Sequence, residues 1–201
     1  MNNDTAQRLK DIKQSFRMLM DGSIAASMRD KGHDYHLSWG VTIPRLQAMA
    51  ADIGKDYDLA IALWKENIRE CKILATLVMP ADEVLPEVID IWVEQIHYQE
   101  IAEQCAFNLF QHLPYAADKA FQWIADPGEM QQLCGYLTIA RLFFAGKEPN
   151  ERAMHEFTDQ AETALHSPSL AVRKAAAGAL RRFAGLGLVY ERIADNIFSH
   201  L

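Results

Sequence analysis

The chain has 201 residues, 50% hydrophobic and 23% charged, a balance that excludes disorder and collagen. Twenty Lys/Arg stand against 27 Asp/Glu, a formal charge of -7, so bulk charge leaves no basic footprint of the kind nucleic-acid binding usually needs. A polar start, short apolar runs and three scattered cysteines (Cys71, Cys105, Cys134) predict no secretory leader, no bilayer span and reduced, cytoplasmic thiols.

Almost every segment reads as helix. Asp4 to Met20 places Leu9, Ile12 and Phe16 on one face, and Ser23 to Arg29 forms a short second helix. Lys31 to Gly40 is a polar, aromatic loop. Thr42 caps a helix that carries Pro44 in its first turn and stops at Gly54. Asp56 or Asp58 caps Leu59 to Lys65, and Ile68 to Met79 follows. Asp82 caps a helix running to Ile96, and Tyr98 to Leu113 is the next. Pro114, Pro127, Pro149 and the Ser167-Pro168 pair open four more, and Val189 to His200 is the last. Strand alternation and hairpin dipeptides are absent.

The helices pair through very short connections. Second helices begin near Ile68, Tyr98, Gly128 and Pro168, a spacing of roughly 30–40 residues, the period of HEAT and armadillo repeats. A plain bundle would give amphipathic helices without a preferred spacing. The expected fold is all-α: an α-α superhelix (solenoid) of HEAT-like helical hairpins, one domain over residues 1–201, with a concave surface.

Charge is uneven along the chain. Residues 51–130 carry five Lys/Arg against fifteen Asp/Glu, whereas the flanking segments are slightly basic. Arg173, Lys174, Arg181 and Arg182 cluster on one helix, with Lys174 and Arg181 on the same face, and are the best candidates for phosphate contacts. The alternative is a solvated outer face of a terminal repeat. Arg45, Arg69 and Lys72 would extend the stripe, with Glu66 and Glu70 partly cancelling it. Gly135 and Gly178 lie inside helices, where glycine costs about 0.5–1 kcal/mol relative to alanine. Close helix packing or room left for a ligand would each offset that cost. Gln99, Glu103, Phe107 and Phe110 share a helical face, where apolar surroundings would partly desolvate Glu103, unless its head group reaches water. His33, Asp34 and His36 could bind a metal, but no fourth ligand accompanies them and no metal site is expected. Trp64, Trp92 and Trp123 read as core between repeats, and Tyr35 and Trp39 as packing on the first repeat.

GVTIPRLQAMA (Gly40 to Ala50), LWKENIRECKILATLVM (Leu63 to Met79) and AVRKAAAGALRRFA (Ala171 to Ala184) together resemble, in order and spacing, the bacterial DNA alkylation repair enzyme family. The resemblance implies HEAT-like repeats and, in active members, excision of cationic N3- or N7-alkylated purines from double-stranded DNA without metal or organic cofactor. A carboxylate there stabilises the oxocarbenium-like sugar, aromatic faces hold the cationic base, and an arginine ties down the backbone. By the same resemblance the carboxylate falls on Glu103, the first aromatic on Gln99 beside Tyr98, the arginine on Gly135 beside Tyr136, and the second aromatic on Gly178. One role of four survives, on a longer side chain. The implied groove is therefore Tyr98, Gln99, Gly135, Tyr136 and Gly178, with Glu103 as the catalytic candidate and Arg45, Arg173, Lys174, Arg181 and Arg182 as the DNA contacts. The resemblance points to a DNA-binding protein whose excision site is largely replaced. The acidic middle of the chain favours the alternative, a non-catalytic scaffold for a protein or RNA partner.

Overall fold

The computed structural model describes residues 3–30 and 35–200. These residues form twelve α-helices, a single 3-10 turn and no strand. The helices are α1 (Asn3–Met18), α2 (Gly22–Asp30), α3 (Ile43–Ile53), α4 (Tyr57–Trp64), α5 (Arg69–Val78) and α6 (Pro86–Glu94). The second half adds α7 (Gln99–Asn108), α8 (Ala116–Ile124), α9 (Glu129–Phe144), α10 (Glu151–Leu165), α11 (Leu170–Ala184) and α12 (Leu188–Ser199). Local signals set several ends. Asp56 caps α4 by accepting from the Leu59 N–H at 2.9 Å, and Asn150 and Ser169 cap α10 and α11 likewise. Gly54 ends α3 at φ 75°, a conformation that suits only glycine without strain.

Two expected elements differ. Asp82 lies in a turn and caps nothing, because the helix starts only at Pro86. The helix expected over 98–113 stops at Asn108, where Leu109 (φ -130°, ψ -58°) leaves the helical region, and the 3-10 turn Phe110–His112 follows. The break turns Phe110 into the core, 5.0 Å from the Trp123 ring, instead of leaving it on the face of Phe107.

The chain packs as two compact units, Met1–Leu85 and Pro86–Leu201. In the first, α4 and α5 form a hairpin, with α1 against α4 and α3 against α5. Phe16, Leu46, Leu59, Leu63 and Leu74 fill its core, and Trp39 packs its ring on Phe16 at 5.6 Å. Glu70 is wholly buried. Its carboxylate accepts from the backbone N–H groups of Trp39, Gly40 and Val41 at 3.0–3.3 Å and from the Ser38 hydroxyl at 3.1 Å. Arg69, 2% exposed, sits 3.3 Å from that carboxylate and donates to the Val41 carbonyl at 3.0 Å. A buried charge persists only when paired and hydrogen-bonded, and here both conditions hold. Arg69 therefore belongs to the interior and adds nothing to a basic stripe.

In the second unit α9 is central, packed on α8, α7 and α11, while α10 and α12 pack on α11. Phe143, Phe157 and Phe183 make a ring cluster with centroids 5.0–5.5 Å apart. Lys119 of α8 bridges Asp90 of α6 at 2.6 Å, which ties those two helices together. The hairpins α8/α9 and α10/α11 pack on each other, and α9 lies against both α7 and α11. Trp64, Trp92 and Trp123 are all buried, as core residues between hairpins should be.

Candidate nucleic-acid interface

The outward face of α7, α9 and α11 collects most of the residues singled out from sequence. Gln99, Glu103 and Phe107 stand exposed at successive turns of α7. Gln99 donates its side-chain amide to Glu103 at 2.8 Å, and the carboxylate reaches water, so the apolar surroundings that would desolvate it are missing. Tyr98, half-buried, precedes α7 as its N-cap residue. On α11, Lys174, Arg181 and Arg182 are exposed. Gly178 lies one turn from both Lys174 and Arg182, and a Cβ placed on it would meet nothing within 4 Å.

Three expected members of this face point elsewhere. Gly135 faces α8: a Cβ there would lie 2.6 Å from Ile124 Cγ2 and 2.8 Å from the Ala120 carbonyl oxygen. Its glycine is required by close helix packing, not by a ligand. Tyr136 is completely buried and donates its hydroxyl to the Gln160 carbonyl at 2.8 Å, with burial raising its pKa. Arg173 spends its guanidinium on the carbonyls of Ser167 and Pro168 at 2.5 and 3.1 Å, fastening the α10–α11 connection. Arg45 is exposed on α3 in the first unit. It lends a minor charge contribution to Asp21, whose carboxyl is held below its ordinary range chiefly by the Ser23 hydroxyl and the Ile24 N–H. His33 and Asp34 lie outside the described residues. Among those residues no cluster of three or more His, Cys, Asp or Glu has metal-binding geometry.

The structure also brings in residues that sequence reading passed over. Arg141, in the last turn of α9, places its guanidinium 4.7 Å from the Phe107 ring centroid and 5.0 Å from that of Phe144. Arg182 reaches the same Phe144 ring from α11 at 4.8 Å. Arg181 leans the other way, 5.9 Å from the Phe198 ring of α12. Arg141 donates its Nε to Gln111 Oε1 at 3.2 Å, and Gln111 donates in turn to the Phe107 carbonyl. The 3-10 turn that breaks α7 is what positions Gln111 for this role. Among the described residues neither Nη nitrogen of Arg141 has a hydrogen-bond partner. Among the described residues no carboxylate pairs with Arg141, Lys174, Arg181 or Arg182.

Cations in last turns complement helix dipoles by themselves. Two guanidiniums on one ring without a counter-ion go further. Stacking on an aromatic ring pre-organises the planar fork while its N–H edge stays open to an oxyanion. The sequence signal for this was weak. Arg141 falls outside the basic run of α11, and its pairing with Phe107 and Phe144 depends on how α7, α9 and α11 pack.

An all-helical chain of short hairpins with this spacing is a HEAT-like repeat protein, and comparison with known proteins gives the same class. The chain belongs to the DNA alkylation repair enzyme family, whose model matches residues 12–185. A solved structure of a protein from "a new family of proteins related to the HEAT-like repeat DNA glycosylases with affinity for branched DNA structures" shares the fold. Its TM-score is 0.85 at 16% identity, over 94% of this chain and 81% of that one. No curated protein matches the chain.

Proposed function

We propose that this protein binds DNA through the α7/α9/α11 face, with Arg141 and Arg182 as principal phosphate contacts and Lys174 and Arg181 beside them. The observation that carries this reading is the group of four cations without carboxylate partners among the described residues, two of them stacked on Phe144. A net negative protein needs such a local concentration of positive charge to attract phosphates. Membership of a DNA repair family and the branched-DNA affinity of the structural neighbour's family support the same reading.

Base excision is not part of it. Glu103 is exposed and already hydrogen-bonded to Gln99, and electrostatic stabilisation of a developing cation weakens steeply in water. The arginine and aromatic positions expected beside it hold Gly135, which faces α8, and Gly178, which carries no ring.

Binding to duplex DNA across a salt series tests the proposal. Arg141→Ala and Arg182→Ala should each weaken binding on the order of tenfold and lower the salt slope by about 1. Base release from alkylated duplex in the same samples should stay at the spontaneous rate. Release above that rate, abolished in Glu103→Gln, would restore an excision role. No binding even at low salt would overturn the DNA reading and favour the protein-partner alternative. For that alternative the outward face of α6 is the supporting feature, with Ile91 52% exposed between exposed Glu87 and Glu94.

A further inference from the structure

Phosphate contacts need only cations, and they read a paired and an unpaired strand alike. The α7/α9/α11 face carries more than cations. Phe107 and Phe144 are 48% and 58% exposed, each in the last turn of its helix. Phe144 is engaged by two guanidiniums. Phe107 is engaged by Arg141 alone among the cations of the described residues, so it retains ring surface to offer. On the far side, Gly178 leaves bare helix surface between Lys174 and Arg182. An aromatic ring, a line of open guanidiniums and an unobstructed backbone thus follow one another across three adjacent helices.

We propose that this face binds a short unpaired stretch of a DNA strand. An unstacked base lies on Phe107, Arg141 and Arg182 hold consecutive phosphates, and the strand leaves along Gly178 toward Lys174. The inference rests on the DNA-binding reading above and specifies the state of the strand. In a duplex the base faces are stacked inside, and the outer surface presents phosphates and sugars that gain little from an exposed phenyl ring. An unpaired nucleotide presents a base face next to its phosphate. Base-on-aromatic stacking is tolerant of sequence and adds to backbone electrostatics, the combination used by single-strand binders generally. An acidic peptide would satisfy the arginines but has no recurrent flat face to match the ring.

The test uses the full-length protein and three probes at one salt concentration: a blunt DNA hairpin, the same hairpin with a four-thymidine 3′ tail, and that hairpin with an abasic tail. Fluorescence anisotropy should show the thymidine tail binding on the order of tenfold tighter than the blunt form, with the abasic tail losing that gain. Phe107→Leu should remove the preference and leave the salt slope unchanged. Arg141→Gln should lower the slope for all three probes. Equal affinity for tailed and blunt hairpins would overturn the inference while leaving DNA binding intact. So would a preference that survives with the abasic tail or in Phe107→Leu. Binding to none of the probes would overturn both readings. A fourth probe, the same hairpin with a four-uridine RNA tail, guards the assignment to DNA, which tighter binding to that tail would overturn. The abasic comparison needs no variant, so it stands whether or not Phe107→Leu folds.

Discussion

Gly135 and Gly178 look alike in sequence, each a glycine inside a helix of good formers, and their surroundings give them opposite meanings. At Gly135 a methyl group would run into the Ala120 carbonyl and the Ile124 backbone, neither of which is a flexible side-chain end. Gly135→Ala should therefore destabilise by about 1–3 kcal/mol through overpacking. At Gly178 the same change meets open space, so Gly178→Ala should stabilise by about 0.5–1 kcal/mol, the helix-propensity difference alone. Urea denaturation of both variants checks the pair, and equal signs would refute the contrast. Sequence reading identified both glycines as costly but could not separate them, because the deciding neighbours of Gly135 belong to another helix. Tyr136 and Arg173 stand apart from the expected face for a related reason. A tyrosine beside a candidate site and an arginine in a basic run have the right chemistry, but only packing shows that one is interior and the other holds a loop.

The repeat itself was legible at the level of elements. Second helices expected near Ile68, Tyr98, Gly128 and Pro168 start at Arg69, Gln99, Glu129 and Leu170. Prolines, glycines and capping residues act locally, so they can be read without the fold. The end of α7 could not be. The run through 109–113 remains apolar enough to continue a helix, and the break follows from the burial of Phe110 against Trp123. That break matters because it presents Gln111 to Arg141. The coupling of α5 to the segment before α3 was likewise hidden, although Gly40, Val41, Arg69 and Glu70 lie in two of the motifs that carried the family resemblance. Glu70→Ala should cost about 3–5 kcal/mol, since it removes the carboxylate beside the buried Arg69 and takes the acceptor from the Trp39 and Val41 N–H groups. A midpoint in denaturant shifted by less than 1 kcal/mol equivalent would refute the role of Glu70 as the anchor of this segment.

At the scale of the molecule, composition gave the class but concealed the site. A formal charge of -7 describes the whole surface, whereas the proposed interface depends on four cations carried by two helices of the second unit, α9 and α11. The thiols also act at this scale. Cys71 and Cys134 are buried, and burial pushes both up to about 12 from an ordinary 9.0, with Glu66 adding to the effect at Cys71. The folded chain therefore holds these protons more tightly than the unfolded chain does. Their contribution to stability is complete below about pH 9 and is lost as pH rises toward 12, at up to about 1.4 kcal/mol per pH unit for each thiol. The urea midpoint should fall between pH 8 and pH 10.5, and a constant midpoint would contradict the sign. The buried carboxylate of Glu70 has a consequence in time as well as in energy. Trp39 and Val41 give their amide protons to the two carboxylate oxygens carried by α5, and Gly40 shares its proton between that carboxylate and Ser38 Oγ, so the Trp39 and Val41 protons reach solvent only when that end of α5 opens too. Hydrogen exchange should see the loop and the helix as one cooperative unit, slow where an ordinary surface connection would be fast.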